Sequence, residues 1–310
     1  MSNDLMSKKI NRGIYFALTA AILSGIAVFV GSLSSKIVKD PFVLTTARNT
    51  IVAIWFSAVL IGISRWVSIK QLTQKQWGQL ILIGLIGGSI PFLLFFKGLS
   101  LSTAVGGAFI QKTLFIWVGL LAVVFLKEKI GKWQIFALII LIIGNYLLAA
   151  PKSLVFGYGE LLVFVATLFW AAETIIVKNV LKKLPALIVC WGRMFFGSII
   201  MLVYLFATHK FGAIGSLNIN QWLWIILPSI LLFTYINFWF ASLRNLPASL
   251  VTSILVIGSP MTTLLTSIFI THKYRLIDVI STMLIIIGII LFAKSARMSK
   301  NVSTRKLAFR

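Results

Sequence analysis

One acidic side chain, Glu173, stands in the middle of a long apolar run, where a charge costs roughly 2.5–3.5 kcal/mol on membrane-insertion scales. A group so placed needs compensation. Trp170 lies three residues earlier on the same helical face, so a carboxylate and an aromatic wall can line one side of a cavity. Such a pair can hold a substrate amine or exchange a proton; a buried ion pair or a neutral, hydrogen-bonded acid is the structural alternative. Lys112 is the complementary oddity in another apolar run, with Gln111 beside it and Phe115 about one turn on. An amine at that depth should face a bundle interior, and Glu173 is its most economical partner. If the two pair when empty, an amino-acid-like solute can replace each partner with its own carboxylate and amine. A purely structural pair, or an anion site formed by Lys112 alone, stays open.

Other residues suggest weaker readings. Tyr235 and Trp239 are four residues apart and fit either ligand stacking or core packing. Pro91, Pro228 and Pro260 fall inside apolar runs, where they can kink helices, free carbonyls and serve gating. Gly87, Gly88, Gly106 and Gly107 allow close helix contact. Arg48 and Arg193 follow Pro41 and Pro185 by seven and eight residues; near the ends of equivalent helices, their heads are expected to snorkel to the interface. Lys97 and Arg244 read as interfacial anchors. His209 and His272 read as loop residues, and with Cys190 as the sole cysteine no metal constellation, cofactor site or internal disulfide is expected.

The elements that must position these groups follow from composition. Of 310 residues, 59% are hydrophobic and 11% charged, against roughly 45–50% and 25% in soluble domains. Helices of about 20 residues are needed to cross a bilayer, because lipid cannot satisfy a free backbone N–H or C=O. Ten apolar segments fall at about 13–34, 42–64, 77–97, 103–126, 132–150, 158–179, 186–208, 221–243, 248–270 and 275–294, joined by short loops that make neighbours antiparallel. With the N-terminus inside, the inner loops and tails gather eighteen Lys and Arg and the outer loops seven, which predicts that both termini are cytoplasmic. The formal charge of +23 is spread between apolar runs and fits this inside-positive bias and contact with anionic lipid, not nucleic acid. The basic stretch before the first run is followed by too long an apolar segment for a signal peptide.

The chain also repeats itself. Pro41 meets Pro185, Ala104 meets Ala248 and Gly144 meets Gly288, each pair 144 residues apart. Phe95, Phe96 and Leu99 fall on Trp239, Phe240 and Leu243 in the same register. Residues 1–150 and 151–294 are thus read as two five-helix repeats, followed by a basic tail at 295–310. Five crossings is an odd number, so the second copy must be inverted. The expected fold is all-α and integral to the membrane, and inverted repeats of this kind let a carrier exchange two related conformations around a midplane site.

These residues resemble the drug/metabolite transporter superfamily, and within it the ten-helix EamA type. The resemblance rests on Phe125-Leu126-Lys127-Glu128-Lys129 followed by Gly144, similar to the "L-x-E … G-x-x-L-I-x-x-G" end of a repeat; on Trp170-Ala171 followed by Lys178; on Arg48 and Arg193 as the basic residue of each second helix; and on Pro260 with Leu264-Leu265. It covers nearly the whole chain. Departures are Ile116, where a proline would match Pro260, His272, where a glutamate would match Glu128, and Asp278. The resemblance implies a cavity lined by the first, third, fourth, sixth, eighth and ninth spans, with the fifth and tenth peripheral.

The expected function is secondary transport of a small polar organic metabolite, such as an amino acid, across the cytoplasmic membrane, driven by its own gradient or by protons, in a monomer or homodimer. A lipid or lipid-carrier flippase is the alternative. Neither GxxxxGK[ST] nor HExxH nor GxSxG occurs, so ATP hydrolysis and intramembrane enzymology are not expected.

Overall fold

The structure is a computed structural model that describes residues 3–63, 69–101, 104–149 and 157–308, without the side chains of 3–6, 104–106 and 297–308. Arg65, Lys152, Arg310 and the expected repeat boundary at 150/151 lie outside the described residues, as do the side chains of Ala104, Arg297, Lys300, Arg305 and Lys306 and the burial of Gly106. Among the described residues every regular element is helical, and ten helices are long and apolar enough to span a membrane. They are α1 (Asn3–Val38), α2 (Pro41–Gly62), α3 (Gln74–Leu101), α4 (Ala104–Lys112 and Leu114–Leu126), α5 (Lys132–Ala149), α6 (Tyr158–Val180), α7 (Ala186–Ala207), α8 (Ile219–Asn245), α9 (Ala248–Thr271) and α10 (Leu276–Ala308). Large apolar side chains such as Ile54, Val124, Phe206 and Ile286 point outward and stay exposed, as a lipid-facing surface requires. The chain is a multi-pass membrane protein.

The packing follows the repeat. α1 lies along α8 just as α6 lies along α3, while α2 pairs with α7, α4 with α9 and α5 with α10. Adding five to each helix number returns the same set of pairs, the pattern expected of two inverted copies about a pseudo-twofold axis. Glycines set the closest approaches. A Cβ on Gly144 would press on Ile285, and one on Gly288 on Leu141, so the two repeat-equivalent glycines seat α5 and α10 against each other. At the α3–α7 crossing, a Cβ on Gly197 would come 2.7–2.8 Å from the Gly88 backbone. Small residues let helices meet this closely where no hydrophobic effect separates helix from lipid.

α4 and α9 are each broken in two. Thr113 interrupts α4, and Val256–Ile257 interrupt α9; Thr113 and Ile257 are again 144 residues apart. Pro260, three residues past the second break, cannot donate a backbone hydrogen bond and favours starting a new segment there. Ile116 holds the matching place in α4 and the break persists, so proline is not what imposes it. In α4 the Thr113 amide instead bonds Ile110 O at 3.0 Å and its hydroxyl adds a second bond to the same carbonyl at 2.6 Å.

On the face that carries the chain ends, Glu128 reaches across from the first repeat to the start of α9. Its Oε1 accepts from the Ala248 amide at 2.7 Å, and its Oε2 accepts from the Ser249 amide at 3.2 Å and hydroxyl at 2.6 Å. Pro247, at the N-cap position of α9, has no capping side chain of its own, and an acid at a helix start is favourable. His272, the counterpart of Glu128, is exposed and closes α9 in the left-handed region at φ 50°.

Asp40 caps α2 on the opposite face, accepting from the Phe42 and Val43 amides at 2.8 and 3.2 Å and pairing with Lys210 at 2.6 Å. Burial pushes its carboxyl up, but the Lys210 ammonium and the two amides outweigh this and hold it below the usual value of 3.8. The folded value is depressed, so the stabilisation is complete above the unfolded value and lost as pH falls through the folded one. Asp40→Asn is expected to remove this acid-dependent part of stability at a cost of about 1 kcal/mol or less, since the pair is well exposed. Thermal unfolding of the two proteins between pH 3 and 7 checks it.

Candidate functional site

The site grows out of one backbone irregularity. Pro91 of α3 has no N–H, so the carbonyl four residues back, Gly87 O, lacks its ordinary helical partner. The chain answers with a wide turn over Gly84–Ser89, a bulge of the kind often found where helices do special work. Gly87 O then accepts from Trp170 Nε1 of α6 at 3.2 Å and from Arg193 Nη2 of α7 at 2.9 Å. Arg193 also grips Glu173 of α6, Nε to Oε1 at 2.5 Å and Nη2 to Oε2 at 3.5 Å. A Cβ on Gly87 would overlap the Glu173 carboxyl group, so only glycine lets α3 and this carboxylate share the space.

Around this knot, Asn49 of α2 donates to Gly88 O at 3.4 Å and accepts weakly from the neighbouring Arg48 guanidinium at 3.3 and 3.4 Å. Phe92 lies under both guanidinium groups, 5.5 Å from Arg48 and 5.8 Å from Arg193, distances at which a cation and a ring face attract. The Phe92 and Trp170 rings meet at 5.4 Å, and Phe95 closes on Trp170 at the same distance. Tyr235 and Trp239 of α8 stack at 6.1 Å, with Tyr235 within electrostatic reach of both Arg193 and Glu173.

Two expectations are corrected. Glu173 pairs with Arg193, not Lys112, because Arg193 reaches it from α7 with a planar fork that can also hold Gly87 O. Neither Arg48 nor Arg193 snorkels: Arg193 is only 8% exposed, and both heads turn inward onto Phe92. Each sits about 10 Å from its end of a 22-residue helix, too deep for an interfacial anchor.

The remaining candidates are dispersed. Lys112 ends the first segment of α4 at the break, where the negative end of a helix favours a cation; Gln111 beside it is half-buried. Phe115 is 1% exposed and Trp239 7%, so both serve as packing in this conformation. Pro228 is buried within an unbroken α8. Asn49 and Phe92 were not expected from the sequence. The signal that could have found their surroundings is the Gly87…Pro91 spacing, which marks a carbonyl left free for a neighbouring helix.

The comparisons agree with this architecture. The EamA-like transporter family matches twice, over residues 11–150 and 157–294, one match for each repeat. The chain is 24% identical over 240 residues to the uncharacterized transporter YyaM of Bacillus subtilis (strain 168), covering 74% of this chain and 78% of that one. A solved crystal structure superposes with a TM-score of 0.77 at 17% identity, over 94% of this chain and 98% of the other, and so shares the fold. With ten spanning helices, an inverted pairing map and a family match in each half, the chain belongs to the EamA-like transporter family.

Proposed function

We propose that this protein is a secondary transporter that moves a small polar organic metabolite, an amino acid or a related solute, across the cytoplasmic membrane by alternating access, with both termini in the cytoplasm. The observation that carries this reading is the pair of breaks in α4 and α9, at equivalent positions of inverted copies. Discontinuous helices expose backbone polar groups at mid-membrane depth, which lipid does not tolerate and a solute site uses. The segments nearer the chain ends pack together, Leu114–Leu126 against Ala248–Leu255, whereas Ala104–Lys112 packs on α6 and Gly258–Thr266 on α1. Closure on the face of the termini suits the half of the cycle in which the site opens the other way.

The test is solute counterflow in proteoliposomes with labelled metabolite pools, with and without a pH gradient. Wild-type protein is expected to exchange at least one polar solute, and Lys112→Met, checked for normal insertion and lacking the charge at the α4 break, to lose about tenfold or more of that exchange. Exchange of no solute above empty liposomes would end this reading.

A flippase is the second reading, favoured by one feature. An apolar crevice of about 210 Å³ between α1, α9 and α10, lined by Ile22, Pro260, Met261, Leu264 and Ile286, has partly exposed walls. Fluorescent-lipid scrambling in the same liposomes separates the two readings.

A further inference from the structure

Among the described residues, two cations inside the membrane, Arg48 and Lys112, have neither a carboxylate nor a backbone carbonyl partner. Asp40 is held by Lys210, Glu173 by Arg193 and Asp278 by Arg275. Glu128 caps α9, and Glu160 accepts from the Gly157 amide. The sixth, Asp4, precedes the first span, which opens at Ser7. Four basic residues fall outside the inner and outer loop sets and stand within the spans or near their ends: Arg48, Lys112, Lys178 and Arg193. Arg193 has Glu173, and Lys178 donates to the carbonyls of Leu243 and Leu246 at the end of α8. Among the described residues, Arg48 has only the neighbouring Asn49 oxygen, at 3.3–3.4 Å, and the face of Phe92. Among the described residues, the Lys112 ammonium has no hydrogen-bond or ion-pair partner.

An uncompensated charge in a spanning helix is costly, and arginine does not escape by losing its proton. Something outside the chain must repay Arg48. Resting on the transport reading, we infer that Arg48 receives the negatively charged group of the solute, which is therefore a small organic anion carrying a carboxylate or a phosphate. The guanidinium fork suits either group, because both present paired oxygens to two parallel N–H donors. The organic body then lies on the Phe92–Trp170 wall, which starts beside Arg48. With Glu173 already neutralised by Arg193, the positive charge of Arg48 repels amines lacking an acid group.

The experiment is a thermal-shift titration of the purified, full-length protein with probes matched in shape but not in charge: succinate against succinamide, phenylacetate against phenylacetamide, and glycerol 3-phosphate against glycerol. At least one anion is expected to raise the melting temperature while its neutral partner does not, and the carboxylate and phosphate arms show which group is preferred. Arg48→Met is expected to weaken that anion about tenfold or more while raising the melting temperature of the ligand-free protein, because it removes a half-buried charge that has no acid to pair with. Arg48→Lys, which keeps the charge and loses the fork, covers the case in which Arg48→Met does not fold; it is expected to fold and to weaken the anion as well. The inference is overturned if no anion binds, if a neutral partner binds equally, or if the variant that folds retains wild-type anion affinity. An anion that binds but does not exchange in counterflow upholds the inference and removes the transport reading instead.

Discussion

Glu173→Gln destabilises the folded protein by about 3–5 kcal/mol, the cost of leaving the buried Arg193 guanidinium without its acid. Glu173 and Arg193 are 5% and 8% exposed, so water cannot take over the lost contact. Arg193→Met costs less. It frees a carboxylate that can take up a proton and turn neutral, and Gly87 O keeps its bond from Trp170. The double variant Glu173→Gln, Arg193→Met should recover most of the loss, because a buried pair is worth little against neutral residues of similar size. Urea or thermal unfolding in mild detergent, read as a double-mutant cycle, measures the coupling. A cycle with coupling below about 0.5 kcal/mol would mean that Arg193 is not what compensates Glu173.

Much of the architecture was readable because its causes are local. Span number follows from hydrophobic length, and inversion follows from an odd count of spans per 144-residue repeat. The site was harder. Glu173 and Trp170 stand out because a mid-span acid is anomalous anywhere, and both prove to belong to the knot on α3. Which cation meets Glu173 depends on how α6 and α7 are rotated, and apolar periodicity is too weak to fix this in helices surrounded by lipid on one side and protein on the other. Arg193 therefore looked like an anchor, although it lies at the centre. The α4 break was equally hidden, since Ile116 offers none of the punctuation that Pro260 gives α9.

Glu128→Gln is expected to open the face of the termini. The carboxylate accepts three hydrogen bonds from the first residues of α9, and bonds to a charged acceptor are worth about 1.5–3 kcal/mol each. An amide keeps the shape but turns one oxygen into a donor facing the donors of α9, so at least one bond is lost and another weakened. Losing about 3 kcal/mol of closure raises the population open on that face by about a hundredfold. The readout is a cysteine at Ser253, which is fully buried in the first segment of α9. Cys190, the sole native cysteine, is itself buried and gives little background. Ser253→Cys alone should react slowly with a membrane-impermeant maleimide supplied from the face of the termini, and Ser253→Cys with Glu128→Gln much faster. Equal labelling rates would show that the carboxylate does not hold that face shut.

Glu128 has no matching acid in the second repeat, where His272 occupies its place. A carrier built this way has one stout door and one slack one. Unequal doors cannot concentrate anything, because the ratio reached at equilibrium is fixed by the solute and whatever ion travels with it. On the proposed alternating-access cycle they set dwell times instead: the carrier is expected to wait mostly with its slack door open, half-saturate at a lower concentration there, and run faster one way than the other while still ending at the same balance.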